Sequence, residues 1–218
     1  MKIKHIITAL TLAFSLSINI TAQSPATGTI NGHEYVDLGL SVKWATCNIG
    51  ASLPSDYGDY FAWGEAETKS EYTKDNSATY GKISYTFLDA ASAHWGSAWR
   101  MPTEAEYQEL IDSCTWTWIT VGGHKGCKVT SEKNGNSIFL PAAGGRVDTQ
   151  VDTHIDPNYV IGSYWSSSPT DTGMSFIDAI NHCDESAYNL EFHSDRIYVG
   201  KGTRRFGLTI RPVSDKTE

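Results

Sequence analysis

The sequence lacks several features that would mark it as a membrane protein, a zinc protein or a familiar hydrolase. Beyond residue 20 it has no apolar run near the roughly 20 residues of a membrane-spanning helix, so we expect no membrane span in the mature chain. It has no Cys-x-x-Cys pair, which disfavours a structural zinc site, and no Gly-x-Ser-x-Gly elbow of the α/β-hydrolases. Internal repeats and low-complexity tracts are also missing, so a repeat architecture is not expected.

Basic residues are scarce relative to acidic ones. The 17 Lys and Arg residues face 25 Asp and Glu residues, which gives a formal net charge of -8. Loss of an N-terminal segment that holds Lys2, Lys4 and no acid would remove two positive charges and leave -10. An acidic surface of this kind disfavours nucleic acid and anionic lipid as partners, although solubility alone is a sufficient reason for the charge.

The first residues are typical of an export signal. Lys2 and Lys4 precede an apolar run over residues 6–20, and residues 21–23 form a small-residue cleavage region, with the cut expected after Ala22. Ser, Thr and Asn interrupt the run, which is short for a membrane anchor. We therefore predict a protein that is secreted, periplasmic or on the cell surface. The expected organisation is a signal peptide (1–22), a short linker with the start of the first strand (23–31), a single domain (32–213) and a tail (214–218).

The clearest helix start lies at Thr103. Thr103 and Glu106 form the pattern of a capping box, in which each side chain binds the backbone N–H of the other residue. Residues at helical spacing after this start share one face that we expect to pack on a β-layer, and they are Ala105, Tyr107, Leu110, Ile111 and Cys114.

Alternating apolar residues and turn pairs predict antiparallel strands over most of the remaining chain. A hairpin is expected over residues 29–38 with its turn at Asn31-Gly32, then a strand over 42–45. Residues 48–80 are irregular, so we expect buried aromatics to pin them, and a short helix is predicted over 88–95. The further predicted strands cover residues 116–121, 126–130, 137–141, 159–165, 187–193, 197–199 and 206–213.

Four cysteines in an exported chain permit two disulfides in three connectivities. A turn at residues 122–123 would place Trp118, rather than Cys114, opposite Cys127. We therefore favour Cys47 paired with Cys114 and Cys127 paired with Cys183.

Six motifs in order carry a resemblance to a known family. They are Trp44-Ala45-Thr46-Cys47-Asn48-Ile49-Gly50-Ala51, Tyr60-Phe61-Ala62-Trp63-Gly64-Glu65, Trp99-Arg100-Met101-Pro102-Thr103, Phe139-Leu140-Pro141-Ala142-Ala143-Gly144, Tyr164-Trp165-Ser166-Ser167-Ser168 and Arg211-Pro212-Val213. Over residues 32–213 the chain resembles the Fibrobacter succinogenes major paralogous domain family of exported bacterial proteins. That family in turn is similar to the formylglycine-generating-enzyme branch of the C-type lectin-like fold. The resemblance implies an α+β fold of twisted antiparallel sheets with about two helices and long loops.

The chain departs from the family's known chemistry in two places. Formylglycine-generating enzymes that oxidise cysteine bind copper through a closely spaced cysteine pair near the C-terminus, where this chain has only Cys183. Calcium-dependent lectins use Glu-Pro-Asn or Gln-Pro-Asp with Trp-Asn-Asp, and none of these triplets occurs here. We therefore predict no catalytic residues and no cofactor; calcium stays an alternative that no motif supports.

Two local clusters invite a chemical interpretation. The run from Ser166 to Ser168 supplies hydroxyls, but no motif frames a nucleophile, and turn or capping bonds are the usual role of such serines. The nine residues 148–156 contain four side chains that could bind a metal ion: Asp148, Asp152, His154 and Asp156. The EF-hand pattern is absent there, so we interpret the segment as a solvated acidic loop and predict no metal site.

The C-terminal hairpin holds the predicted binding face. Leu190, Phe192, Ile197 and Val199 are expected to face the core, which leaves the alternate residues on the opposite face. Planar donors beside aromatic rings suit stacking and hydrogen bonding to sugars or peptides, and the family resemblance implies ligand-contacting residues in this part of the chain. The candidate ligand-binding residues are Tyr164, Trp165, Asn189, Glu191, His193, Arg196, Tyr198, Arg204 and Arg205. An ordinary solvated face, with Trp165 in the core, is the alternative.

These patterns favour a non-catalytic recognition module that binds a glycan or protein ligand at a cell surface. Two alternatives stay open: an enzyme on a formylglycine-generating-like scaffold with altered chemistry, and a structural surface or fimbrial component.

Overall fold

The structure is a computed structural model that describes residues 23–81, 86–152, 160–170 and 185–216. These residues form an α+β fold with mainly antiparallel sheets, as predicted. In chain order the elements are β1 (Gly28–Ile30), β2 (His33–Val36), β3 (Val42–Ala45), α1 (Ala90–Trp95), α2 (Glu104–Asp112), β4 (Cys114–Val121), β5 (His124–Ser131), β6 (Ser137–Pro141), β7 (Gly145–Val147), β8 (Gln150–Asp152), β9 (Gly162–Pro169), β10 (Ser186–Phe192), β11 (Ile197–Thr203) and β12 (Val213–Asp215).

A four-stranded sheet in the order β1-β2-β3-β12 opens the chain and closes it. Its first hairpin turns at Asn31 and Gly32, whose φ angles of 49° and 82° are both positive. Two positive φ angles are what a two-residue type I′ turn requires, so the Asn-Gly prediction is confirmed. The predicted strand over residues 42–45 is β3.

The second sheet is the meander β4-β5-β6. Its register places Trp118 opposite Cys127, as the predicted turn at Gly122 and Gly123 requires. Strand β6 is buried along its whole length, because it pairs with β5 on one side and lies within the core.

Helix α2 confirms the predicted cap. The Thr103 side chain accepts from the Glu106 N–H at 3.2 Å, and the Glu106 carboxylate accepts from the Thr103 N–H at 2.8 Å. Tyr107 and Leu110 are buried against the sheet formed by β9, β10 and β11, which confirms the β-layer as the partner of this helix. The predicted helix face is wrong at its ends, since Ala105 is exposed and Cys114 already belongs to β4.

The sheet in the order β11-β10-β9 carries the predicted binding hairpin. One face of it packs on α2 through the first core cluster, which includes Leu190 and Phe192, with Ile197 and Val199 partly buried against it. These four core assignments are confirmed. Strands β7 and β8 form a separate two-stranded sheet. A single bridge between Gly144 and Gly162 links this part of the chain to β9.

The irregular segment over residues 48–80 is pinned by buried aromatics, as expected. Phe61 and Trp63 belong to a second core cluster with Trp165, Leu208 and Ile210, which covers the other face of β9 and β10. Tyr60 and Tyr72 are buried beside it.

Three predicted strands are wrong by more than two residues in their bounds. The strand expected over residues 197–199 runs on to Thr203 as β11. The strand expected over residues 206–213 is not continuous: Gly207, Leu208 and Thr209 form isolated bridges to three different segments, and only β12 begins at Val213. The strand expected over 159–165 begins instead at Gly162 and runs on to Pro169; Tyr159 lies outside the described residues.

The predicted disulfide between Cys47 and Cys114 is wrong, because both are free thiols. Cys114 packs inside the first core cluster, whereas Cys47 is half-buried beside a surface cavity. Cys127 is also a free thiol, and its predicted partner Cys183 lies outside the described residues.

Helices in the described ranges are all too short and too polar to cross a bilayer.

Candidate functional site

A groove of about 240 Å³ lies between β7 and the face of β9, β10 and β11 that is turned away from α2. We call it the β10 groove. It is lined by Gly145, Arg146, Val147, Ile161, Ser163, Asn189, Glu191, Lys201, Gly202, Thr203, Phe206 and Leu208.

Strand register brings the polar groups of the groove together. Glu191 pairs with Ser163 on β9 and with Tyr198 on β11, and Asn189 lies two residues before Glu191 on the same face. Directly opposed residues in a sheet are about 5 Å apart and i, i+2 neighbours about 7 Å apart. The backbone alone therefore gathers a hydroxyl, an amide and a carboxylate into one row.

Hydrogen bonds hold the Glu191 carboxylate in place. Its Oε1 accepts from Asn189 Nδ2 at 3.0 Å, and its Oε2 accepts from the Tyr198 hydroxyl. Asn189 is only 1% exposed, and its Oδ1 is a buried acceptor without a donor in the described structure. Within the part of the chain that the structure describes, the row therefore keeps one hydrogen-bond acceptor that no donor satisfies.

Arg146 supplies one of the two positive charges that line the β10 groove, and the exposed Lys201 on β11 supplies the other. Its backbone N–H binds the Gly207 carbonyl at 2.7 Å, and its guanidinium lies over the Tyr60 ring, 5.0 Å from the centroid. Burial raises the pKa of Tyr60 to about 12, and its hydroxyl donates to the Ala143 carbonyl at 2.7 Å, so the ring is neutral at physiological pH. Among the described residues the Arg146 side chain has no hydrogen-bond or ion-pair partner, and its Nε is buried.

Two glycines keep the walls of the β10 groove thin. A Cβ on Gly202 would lie 2.8 Å from the Trp165 ring, and a Cβ on Gly145 would lie 2.7 Å from a Leu208 methyl carbon. Both distances are too short for real carbon atoms. Larger residues would therefore push apart the strands that form the groove.

Tyr164 and Trp165 do not lie on an exposed face, contrary to the prediction. Both side chains are fully buried, and their polar atoms are already used: the Tyr164 hydroxyl donates to the Pro141 carbonyl at 2.6 Å, and Trp165 Nε1 donates to the Phe61 carbonyl at 2.9 Å. The second core cluster covers this part of the sheet, which is why alternation alone misplaced Trp165.

Two more of the predicted ligand-binding residues, Arg204 and Arg205, do not line the β10 groove. Arg204 is fully buried, with its Nε donating to the Ser186 carbonyl at 2.9 Å and its guanidinium 4.7 Å from the centroid of the Trp63 ring. Arg205 pairs with Asp148 at 3.2 Å.

His193 and Arg196 lie at the turn end of the hairpin, outside the β10 groove. His193 is buried and bonds by its N–H to the Arg196 carbonyl, and burial lowers the pKa of its imidazole. Arg196 is exposed in the turn. Of the nine predicted residues, Asn189 and Glu191 therefore line the β10 groove and Tyr198 supports it.

The sequence analysis missed Ser163 and Arg146. Ser163 could have been found by pairing the predicted strands, because it lies directly opposite Glu191. Arg146 could not, because its place depends on a bridge to Gly207, about sixty residues away in sequence. Nothing local marks that contact.

The predicted acidic loop gives no metal site in the described residues, which hold no group of three or more His, Cys, Asp or Glu residues placed to bind an ion. Asp148 lies in the turn between β7 and β8 and pairs with Arg205. His154 and Asp156 lie outside the described residues.

A second cavity of about 280 Å³ lies beside the first hairpin and holds the thiol of Cys47. His33 stacks on Trp95 at its edge, with ring centroids 3.8 Å apart. Burial lowers the pKa of His33, so the imidazole is neutral at physiological pH and the stack is one of two uncharged rings.

Comparisons with known proteins give this chain no assignment: no protein-family model, no curated protein and no solved structure matches it.

Proposed function

We propose that this protein is an exported recognition module with a C-type lectin-like fold, which binds a glycan or protein ligand in the β10 groove without changing it chemically. Export is supported by the charged and apolar pattern of the first 22 residues. The fold is supported by the six family motifs and by an α+β architecture in which α2 packs on antiparallel strands and a long irregular segment is pinned by aromatics.

One observation carries the binding proposal: a buried acceptor at the groove wall has no donor among the described residues. Leaving such a group unpaired costs about 1–3 kcal/mol, and a hydrogen-bond donor on a ligand in the groove would remove that cost. Asn189 Oδ1 lies beside a carboxylate that is itself held by hydrogen bonds from Asn189 and Tyr198. A ligand that donates hydrogen bonds to this row would satisfy it.

Binding fits the buried reactive groups better than catalysis does. Burial raises the pKa of Cys127 to about 12 and that of Cys114 to about 11, so both thiols are protonated and weakly nucleophilic at neutral pH. The tyrosines of the core also have raised pKa values and donate to backbone carbonyls. An acid–base catalyst needs the opposite, a pKa close to the working pH.

The test is a glycan and protein array probed with the exported chain, followed by titration of each hit. Glu191→Gln keeps the shape of the side chain but removes the charge of the row, and we expect at least a tenfold loss of affinity. Asp195→Asn is the matched control, because it makes the same charge change at the exposed turn of the same hairpin. An array without hits, or hits that Glu191→Gln leaves unchanged, would overturn the proposal.

A further inference from the structure

Arg146 is a half-buried cation for which the described chain offers no counter-ion. Arg100 and Arg205 have carboxylate partners, and the buried Arg211 donates to four neutral oxygens. The Arg146 guanidinium has neither kind of acceptor among the described residues. The guanidinium lies over the Tyr60 ring in a cation–π contact, and its Nη groups have no hydrogen-bond acceptor within the described residues. The free fork of a guanidinium is suited to a carboxylate, which it can bind through two parallel hydrogen bonds.

We propose that the β10 groove selects a saccharide unit that carries a carboxylate. In this arrangement Arg146 binds the carboxylate, and the row of Ser163, Asn189 and Glu191 binds the hydroxyls. The inference rests on the proposed function and names the class of ligand for the same site.

The polar row suits hydroxyl groups. A sugar hydroxyl both donates and accepts, so it can donate to Asn189 Oδ1 or Glu191 and accept from Ser163, whose own hydroxyl makes no hydrogen bond within the described residues. The row extends about 5 Å across the strands and about 7 Å along them, an area comparable to one sugar ring.

The dimensions of the β10 groove favour a single small unit. Its volume of about 240 Å³ is smaller than the roughly 300–1,000 Å³ of pockets for drug-sized ligands. Phe206 supplies an aromatic side chain to the lining, and the remaining groups are polar or glycine in large part. A volume of this size is comparable to one saccharide unit, at the end of a chain or within it.

A free amino acid is the competing zwitterionic ligand. Its ammonium group would depend on Glu191, whose oxygens each accept one hydrogen bond already and keep one lone pair, whereas a hydroxyl can also use the neutral acceptor of the row. The unsatisfied acceptor is the neutral Asn189 Oδ1, which matches a neutral hydroxyl donor.

The experiment compares methyl glucuronide with methyl glucoside, and N-acetylneuraminic acid with glycine, by calorimetry and saturation-transfer NMR on the exported chain. We expect the carboxylated sugars to bind at least tenfold tighter than the neutral sugar at low salt. Arg146→Met should reduce this preference to less than threefold, and Arg146→Lys should retain part of it, because it keeps the charge without the fork. Lys125→Ala, an exposed residue on β5, is the control for loss of one positive charge.

The outcomes separate this inference from the proposed function. Equal binding of neutral and acidic sugars that still needs Glu191 would overturn the carboxylate inference and leave the function standing. Two other results would also overturn the carboxylate inference and leave the proposed function standing. In the first, the array yields only a neutral glycan or a protein, and its binding needs Glu191. In the second, glycine displaces the sugar from the groove and its binding needs Arg146. If Arg146→Met does not fold, the Arg146→Lys comparison decides the question, and an unchanged preference in that variant overturns the inference.

Discussion

Replacing Arg211 should lower the free energy of unfolding of this protein more than replacing any exposed charged residue does. Arg211 is fully buried, and its guanidinium donates four hydrogen bonds to neutral oxygens: Asn48 Oδ1 at 2.7 Å and the carbonyls of Ala45, Thr46 and Phe139 at 3.1, 2.9 and 3.0 Å. These contacts tie the end of β3 to the irregular segment and to β6. The side chain therefore joins two of the sheets.

The magnitude follows from what Arg211→Met leaves behind. Four buried acceptors lose a charged donor, each worth about 1.5–3 kcal/mol, while the variant avoids the several kcal/mol needed to desolvate the guanidinium. We expect a net loss of about 3–5 kcal/mol, the usual result of removing one partner from a buried charged network. For a domain of this size that corresponds to a fall in Tm of roughly 6–20 °C.

Urea unfolding followed by tryptophan fluorescence measures this loss. Arg211→Lys should lose less than Arg211→Met if it folds, because an ammonium can serve up to three of the four acceptors. Lys125→Ala is the surface control and should change the free energy of unfolding by less than about 0.5 kcal/mol. A loss below about 1 kcal/mol for Arg211→Met would refute the reasoning.

Two further predictions concern the thiols and the helix cap. In the native protein a thiol reagent should modify Cys47 first and Cys114 and Cys127 only after unfolding, because the last two are buried with raised pKa values; equal rates for all three, read by mass spectrometry, would contradict this. For Glu106, burial alone would raise the pKa, but hydrogen bonds from Arg100 at 2.9 Å and from the cap lower it below 4.5. The stability that the Glu106 carboxylate contributes is therefore present above about pH 4.5 and lost as the pH falls further. The free energies of unfolding of wild type and Glu106→Gln should differ by about 1–3 kcal/mol at pH 7, and the difference should disappear in acid. A gap independent of pH would show that the charge plays no part.

Local chemistry in the sequence was sufficient for the elements that depend on neighbouring residues. The cap of α2 needs only Thr103 and Glu106, and the first hairpin needs only Asn31 and Gly32 at positive φ. The meander register followed from the Gly122-Gly123 turn for the same reason. Each of these interactions closes within a few residues, so the residues themselves determine it.

The candidate site could be predicted only in part, because it depends on contacts between distant segments. Alternation placed Asn189 and Glu191 on one face of β10 correctly, but it could not show that Phe61 and Leu208 cover the neighbouring Trp165. Residues 207–213 are all buried, and the first three of them pair with three different segments instead of forming one strand.

The most direct test of the binding account is to locate the ligand on the chain. A ¹H–¹⁵N spectrum titrated with the tightest array ligand should show its largest shifts at the amides of β10 and β11 near Glu191 and of β7 near Arg146. Shifts concentrated at the hairpin turn around Arg196, or at the second cavity beside Cys47, would contradict it.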